Sequence, residues 1–245
     1  MKIIGIIPAR YSSTRFPGKP LVDIGGKSMI QRVYEQAVKS KSLADVIVAT
    51  DDTRIEKHVA AFGGYVIMTK ENHKSGTDRC FEAAGKFSSS ADIVINIQGD
   101  EPFISPDQID LAASCFDSEN VQIATLVKKI NTNEELFNVN TPKVVLNKYG
   151  EAIYFSRQTI PYIREKEKTE WLDHHTFYKH IGIYAYTTKV LAEITVLKQS
   201  SLEIAEGLEQ LRWLENGYKI KTKTTDFDSV SVDVPEDLNK LKFFL

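Results

Sequence analysis

The chain has 245 residues, 42% hydrophobic and 26% charged, which is enough apolar material for a sizeable core and too little charge to keep it unfolded. Its formal net charge of −2 gives no general attraction to nucleic acid or to an anionic membrane, so an anion must be gripped locally. Two cysteines, Cys80 and Cys115, are too few for a disulfide framework or a four-cysteine zinc site and read as buried thiols.

One lysine and a short apolar run open the chain, too brief for a secretory signal, and no later run is long enough to span a bilayer. The cytoplasm is therefore the expected compartment. Ile3 to Ile7 is a β-branched run suited to a strand buried on both faces, ended by Pro8, which cannot donate to a sheet ladder. A polar loop with Arg10, Arg15 and Lys19 among Ser12, Ser13 and Thr14 follows. Gly25-Gly26-Lys27-Ser28 is not a P-loop, because Leu21 stands where that motif needs its first glycine. It reads as a turn into a helix with Ile30, Val33, Tyr34, Ala37 and Val38 at helical spacing. Asp45 to Thr50 is a second strand. Thr53 and Glu56 form a capping box for a helix that Gly63-Gly64 stops, and Tyr65 to Met68 is a third strand. This β-α-β-α-β order predicts a parallel sheet with right-handed crossovers.

A helix from about Asp78 leads to a fourth strand, Asp92 to Ile97, and Ser105-Pro106-Asp107-Gln108 starts another helix with a capping box. Val121 to Val127 then reads as a strand, and Val144 to Leu146 with Ala152 to Phe155 as a hairpin about Tyr149-Gly150. The second half is thus more antiparallel than the first. Arg164 to Glu170 with Asp173-His174-His175 reads as an exposed excursion. Ser200 and Glu203 cap a helix that runs to Asn216 and is closed by Gly217. No Gly/Ser-rich linker divides the chain, so one α/β domain with a β-rich second lobe is expected.

Three cations and three hydroxyls beside the C-terminal end of a first parallel strand suit a polyphosphate, since α/β sheets bind ligands there. Gln98-Gly99-Asp100-Glu101-Pro102 ends the fourth strand, and Asp100 is the better placed carboxylate for a hard cation beside a triphosphate. From the residues alone Ser75-Gly76-Thr77 is slightly more readily a turn and N-cap than a ligand loop. Arg157 and His180 are each open to a structural reading, as a surface arginine and a satisfied core histidine. Asp233 is open to one as the N-cap of a last short helix.

The opening Ile7-Pro8-Ala9-Arg10-Tyr11-Ser12-Ser13-Thr14-Arg15-Phe16-Pro17-Gly18-Lys19-Pro20-Leu21 resembles that of the sugar-acid cytidylyltransferases, in the branch acting on 3-deoxy-manno-octulosonate (Kdo). Five later stretches resemble the same family in order: His73 to Arg79, Gln98 to Pro102, Tyr154 to Pro161, His180 to Tyr184, and Leu208 to Arg212. Asp233 to Leu238 matches its C-terminal signature, while Ser201 departs from the proline usual before the leucine of its helix. The resemblance implies a Rossmann-like nucleotide-diphospho-sugar transferase fold and transfer of CMP from CTP to Kdo, with release of pyrophosphate, for lipopolysaccharide assembly. It implies nucleotide contacts from Ala9, Arg10, Ser13, Arg15, Lys19, Ser75, Gly76, Gln98 and Asp100. Sugar contacts would come from Gln98, Arg157, His180, Tyr184, Glu209 and Gln210. Mg²⁺ would lie on Asp100 and Asp233, and Arg15, Lys19, Asp100 and Asp233 would act in catalysis. A nucleotide lobe of roughly 1–118 and 226–245, a sugar and dimerisation lobe of roughly 119–225, and a homodimer complete the expectation. Another sugar-acid cytidylyltransferase and a non-catalytic nucleotide-binding module are the alternatives; Lys19, Asp100 and Asp233 standing together weigh against the second.

Overall fold

The apolar runs become strands of one sheet. A computed structural model of the protein describes residues 1–13, 15–88, 90–228 and 230–243, with side chains given to residue 241. In chain order the elements are β1 (Ile3–Ala9), α1 (Met29–Ala37), β2 (Asp45–Thr50), α2 (Thr53–Ala61), β3 (Val66–Met68), α3 (Gly76–Lys86), β4 (Ile93–Asn96), α4 (Pro106–Ala113) and β5 (Ile123–Lys129). There follow α5 (Asn133–Phe137), β6 (Lys143–Leu146), β7 (Ala152–Ser156), α6 (Trp171–His174), β8 (Tyr178–Thr187), α7 (Thr188–Thr195), α8 (Ser201–Glu206), α9 (Gln210–Glu215) and β9 (Ile220–Thr224). A 3-10 segment, Pro235–Phe243, closes the chain.

The central path of the sheet is β3-β2-β1-β4-β8-β5-β9. It is mostly parallel: β1 pairs parallel with β2 and β4, β2 with β3 and β5 with β9, while β8 runs against both of its neighbours in the path. The expected hairpin is present as β6 and β7, and β6 also pairs with the start of β8. The strand order turns back at β1, so the crevice between the ends of β1 and β4 is the topological switch point where such sheets bind ligands.

Side-chain alternation along β1 divides the core. Ile3, Ile7 and Ala9 pack with Ile30, Val33, Ile55, Val59 and Ile109 of α1, α2 and α4. Ile4 and Ile6 pack on the other face with Cys80, Ala83, Val190, Leu191, Leu211 and Trp213 of α3, α7 and α9. Each isoleucine buried this way stabilises the fold by roughly 2 kcal/mol before conformational entropy is subtracted. Both cysteines are buried free thiols, as expected. Among the described residues no helix is long and apolar enough to cross a membrane.

Several local expectations are corrected. Pro8 does not end β1, which continues to Ala9 beside Thr50. The Ile6 carbonyl accepts from Ile97 on the β4 side, and Pro8, two residues on, points the same way beyond the last residue of β4. Its missing N–H therefore breaks no ladder bond. Asp52, not Thr53, caps α2, its carboxylate accepting from the Arg54 N–H. Ser105 makes no side-chain cap for α4, although Pro106 does stand at the first helical position. The helix expected from Ser200 to Asn216 is two helices, α8 and α9, broken at Gly207 with φ of 62°. Residues 164–170 are exposed as expected, but the excursion is pinned by buried Trp171, which packs with Ile130, Leu136 and Phe177. Further on, Val232 donates one backbone bond, 3.0 Å, to the Asp100 carbonyl and ties the C-terminal segment to the end of β4 without forming a strand.

Candidate active site

The basic loop leaves β1 at the switch point. Gly18, at φ of 73°, turns it back so that its N–H meets the Tyr11 carbonyl, and the short 3-10 turn Lys19–Leu21 begins there. Lys19 points inward and is largely buried. Its Nζ lies 2.8 Å from Asp100 Oδ2 and donates to the Val232 carbonyl at 2.9 Å. One ammonium thereby joins the loop, the end of β4 and the C-terminal segment. Arg15 is more exposed and reaches Asp233 Oδ1 at 3.0 Å. Arg10 is exposed at the rim, and Ser13 Oγ accepts from the Phe16 N–H.

Gly99 aims Asp100. A Cβ there would come within 2.8 Å of the Pro8 carbonyl, so only glycine lets the chain pass this close to β1. Asp233 is not the cap of the last segment: Asp237 Oδ2 accepts from the N–H groups of Asp233 and Val234, leaving the Asp233 carboxylate turned to the cleft. Ser75 is the N-cap of α3, in a reciprocal capping box with Asp78. Its hydroxyl is thus structural, yet Ser75 and Gly76 line the same cavity as the basic loop, with Ala9, Arg10, Ser13, Arg15, Lys19, Gln98, Asp100 and Asp233. The nucleotide-side residues named from the sequence are brought together in this space of about 250 Å³.

A second cavity of about 510 Å³ opens from the first across Gly76, Gln98, Asp100 and Asp233. His180, Tyr184, Glu209 and Gln210 line it. Gln98 Nε2 donates to the Gly182 carbonyl, which leaves its side-chain oxygen for a ligand. His180 is 3.0 Å from Thr125 Oγ1, whose hydroxyl donates to the Ile183 carbonyl at 2.7 Å. That hydroxyl is then an acceptor toward Nε2–H, and Nδ1 is left as the acceptor nitrogen. Burial pulls the His180 pKa down to about 4, so the ring is neutral at physiological pH. Burial raises the Glu209 carboxyl, against the Thr77 hydroxyl and the Arg212 charge, which lower it.

Arg157 is the sugar-side residue that the fold does not bring into either cavity lining. Its Nε donates to the Glu206 carbonyl at 2.6 Å, and its other nitrogens reach the carbonyls of Val139 and Gly207 at 3.3 and 3.5 Å. Some residues at the cleft escape the sequence reading. Lys179 lines the larger cavity and is ion-paired with Glu135 and Asp228. Arg79 lines the smaller one, buried against Thr69 and Asp51. Asn96, also at the larger cavity, has a buried Oδ1 with no hydrogen-bond partner among the described residues, as do Tyr184 Oη and Gln210 Nε2. The sequence signal for Arg79 and Arg212 was their place inside two of the matched stretches; Lys179 and Asn96 carried none.

Cations at the end of the first strand, carboxylates facing them and an adjoining polar cavity define a nucleotide-dependent transferase of the α/β class. The chain belongs to the cytidylyltransferase family, whose family model matches residues 4–220. It is similar to the 3-deoxy-manno-octulosonate cytidylyltransferase of Parabacteroides distasonis, 61% identical with 100% of this chain and 98% of the relative covered. The enzyme of the same description from Bacteroides thetaiotaomicron is 59% identical, again over 100% and 98%. Among solved structures, CMP:2-keto-3-deoxy-manno-octonic acid synthetase complexed with CTP matches with a TM-score of 0.91 and 44% identity, over 100% of this chain and 98% of that one.

Proposed function

We propose that the protein transfers CMP from CTP to the anomeric hydroxyl of Kdo, giving CMP-Kdo and pyrophosphate for lipopolysaccharide assembly. The observation that carries this reading is the paired cavity: the basic loop on one side, a polar pocket of His180, Tyr184, Glu209 and Gln210 on the other, joined at Asp100 and Asp233. The full-length likeness to enzymes described as 3-deoxy-manno-octulosonate cytidylyltransferases supplies the substrate names.

In this reading CTP lies over Ala9, with its triphosphate against Arg10, Ser13, Arg15 and Lys19 and its base against Ser75 and Gly76. Charge-assisted donors from Arg15 and Lys19 take up the negative charge that builds on the departing pyrophosphate. Kdo occupies the larger cavity, where His180 Nδ1, Tyr184, Glu209, Gln210 and Gln98 hold its hydroxyls and orient the anomeric one for in-line attack. Arg157 takes the sugar carboxylate by exchanging it for the carbonyl oxygens it now holds, which water can solvate in its place.

Asp100 and Asp233 fit Mg²⁺ by donor chemistry: both offer carboxylate oxygen, and each has one oxygen outside its ion pair. Among the described residues no group of three or more such ligands gathers, which leaves the other positions of an octahedral ion to phosphate and water oxygens. When bound, Mg²⁺ polarises the α-phosphate. We read residues of roughly 1–118 and 226–245 as the nucleotide lobe and 119–225 as the lobe for sugar and dimer contacts, in a cytoplasmic homodimer. Sedimentation at a single chain mass would contradict the dimer.

The test is pyrophosphate release with CTP and a panel of sugar acids that includes Kdo, its 8-amino analogue and a sialic acid. Turnover with Kdo supports the reading. Preference for another acid moves the protein to a sister activity, and no turnover with any acid despite CTP binding makes it a nucleotide-binding module.

A further inference from the structure

Arg212, Glu209 and Thr77 are joined by hydrogen bonds toward the first turn of α3, and Glu203 of α8 stands beside them as a second carboxylate within ion-pair distance. Glu203 completes the N-terminal cap of α8, its Oε2 accepting from the Ser200 N–H. The same oxygen lies 3.5 Å from Arg212 Nε, an ion pair without a hydrogen bond, as Nε has no hydrogen-bond partner among the described residues. Arg212 Nη1 donates to the Leu197 carbonyl at 3.1 Å, and Nη2 donates to Glu209 Oε1 at 2.7 Å. The other oxygen of Glu209 accepts from Thr77 Oγ1 at 2.9 Å. Thr77 follows Gly76 and is 2% exposed; Arg212 is 8% exposed. An arginine so buried carries a large desolvation cost, which only a paired and well-directed carboxylate offsets.

Glu209 therefore stands where the two halves of the cleft meet. It lines the larger cavity, while its hydrogen bond to Thr77 grips the helix that begins at the nucleotide side. Resting on the reading of the substrates as CTP and Kdo, we propose that Arg212 is a positioning residue, one that holds the Glu209 carboxylate in a fixed direction between the sugar and the first turn of α3. Its planar fork sets that direction by donating to Glu209 and to the Leu197 carbonyl from two nitrogens at once, with Glu203 beside the third, which a lysine could not do. Kdo binding then depends on a group that touches neither substrate.

The charge on Glu209 is part of the device. Facing it are Arg212 on α9, Asp78, Cys80 and the Ser75 and Thr77 hydroxyls on α3, and Tyr184 and Tyr186 on β8. Burial raises its pKa; Thr77, Arg212 and Ser75 hold it down, and Asp78 opposes them. Removing Arg212 lifts it further, so the ionised form is lost at a higher pH as acid is added.

Steady-state kinetics on the full chain test this, with wild-type turnover of CTP and Kdo measured first. In Arg212→Met, kcat/KM for Kdo should fall by about ten-fold or more at neutral pH, while KM for CTP changes by less than about two-fold. The acid limb of the pH profile for Kdo should move up by about one pH unit. Arg212→Lys keeps a charge and should recover part of that limb but not the full kcat/KM. Thr77→Val keeps the side-chain shape and should move the limb in the same direction by less. Equal losses toward both substrates with an unmoved acid limb would make Arg212 a structural tie and overturn the proposal. If Arg212→Met fails to fold, Thr77→Val decides, and an unmoved limb with an unchanged KM for Kdo overturns it. Absence of wild-type turnover with Kdo defeats the substrate reading and this proposal with it, whereas normal wild-type turnover with indifferent variants defeats only the role of Arg212.

Discussion

Lys19 and Asp233 show how single side chains at the cleft differ in what they support. Lys19 is enclosed and bonded to two separate segments, so its loss affects both chemistry and fold. In Lys19→Ala, turnover should fall by about ten-fold or more, as a charge-assisted contact to a developing oxyanion disappears. Stability in urea should also drop, by about 1 kcal/mol, because Asp100 and the Val232 carbonyl lose their partner. A folded variant with near-normal turnover would reject the phosphate role. Asp233 pairs with an exposed Arg15 and caps nothing, so Asp233→Asn should keep its melting temperature while turnover falls by about a hundred-fold. Asp237→Ala should do the reverse, losing about 1 kcal/mol of stability through its two backbone N–H contacts with a much smaller effect on turnover. Equal turnover in Asp233→Asn and wild type across a Mg²⁺ titration would remove Asp233 from the metal site.

At the scale of elements, the break between α8 and α9 matters most to the sugar side. Gly207 sits at φ of 62°, and a Cβ there would meet nothing closer than Arg157 Nη2 at 3.9 Å. Space is available, so Gly207→Ala should act through backbone strain alone, costing about 1 kcal/mol. Chain direction after residue 207 would shift with it, and KM for Kdo should rise several-fold more than KM for CTP; unchanged constants for both would show that the break does not position Glu209 and Gln210. This break was not legible in the sequence, since the stretch from Ser200 to Gly217 has an N-cap, helical spacing and a terminal glycine, and an internal glycine is tolerated in many helices. The strands before residue 100 were legible because they are short β-branched runs bounded by turn residues. Side-chain commitments were not. Nothing in the local pattern says that Lys19 meets Asp100, eighty-one positions away, or that Arg157 rests on helix-end carbonyls. Burial of Arg79 and Arg212 runs against composition alone, because arginines are mostly exposed. Family likeness picked out loops that the fold gathers at one cleft; only the fold says which atoms within them are already bonded.

At the scale of the whole molecule, two cations of the cleft are paired with two of its carboxylates. Lys19 neutralises Asp100, and Arg15 neutralises Asp233. On the proposed reading, CTP with Mg²⁺ would exchange both partnerships together: cations to phosphate, carboxylates to Mg²⁺. Chelating divalent ions with EDTA should therefore abolish pyrophosphate release without lowering the melting temperature of the free protein. Mg²⁺ alone should shift that temperature by less than about 1 °C, since a weakly held ion stabilises little, while CTP and Mg²⁺ together should raise it by several degrees. A large shift with Mg²⁺ alone would mean a metal site already open before the nucleotide arrives.

The reversed strand β8 also bears on how such a protein can change. Asn96 at the end of β4 lies beside Tyr184, so the residues that precede Tyr184 in β8 project past the end of β4 into the cleft. The donor side is built where strands finish, and the acceptor side where one strand begins. The loops that follow β1 and β4 and the start of β8, Lys179 to Gly182, thus meet at the same cleft from opposite chain directions, with Asn140 to Pro142 just before β6 beside them. A lineage can rewrite the start of β8 and the short stretch before β6 to greet a different acid while the inherited donor grip stays as it was.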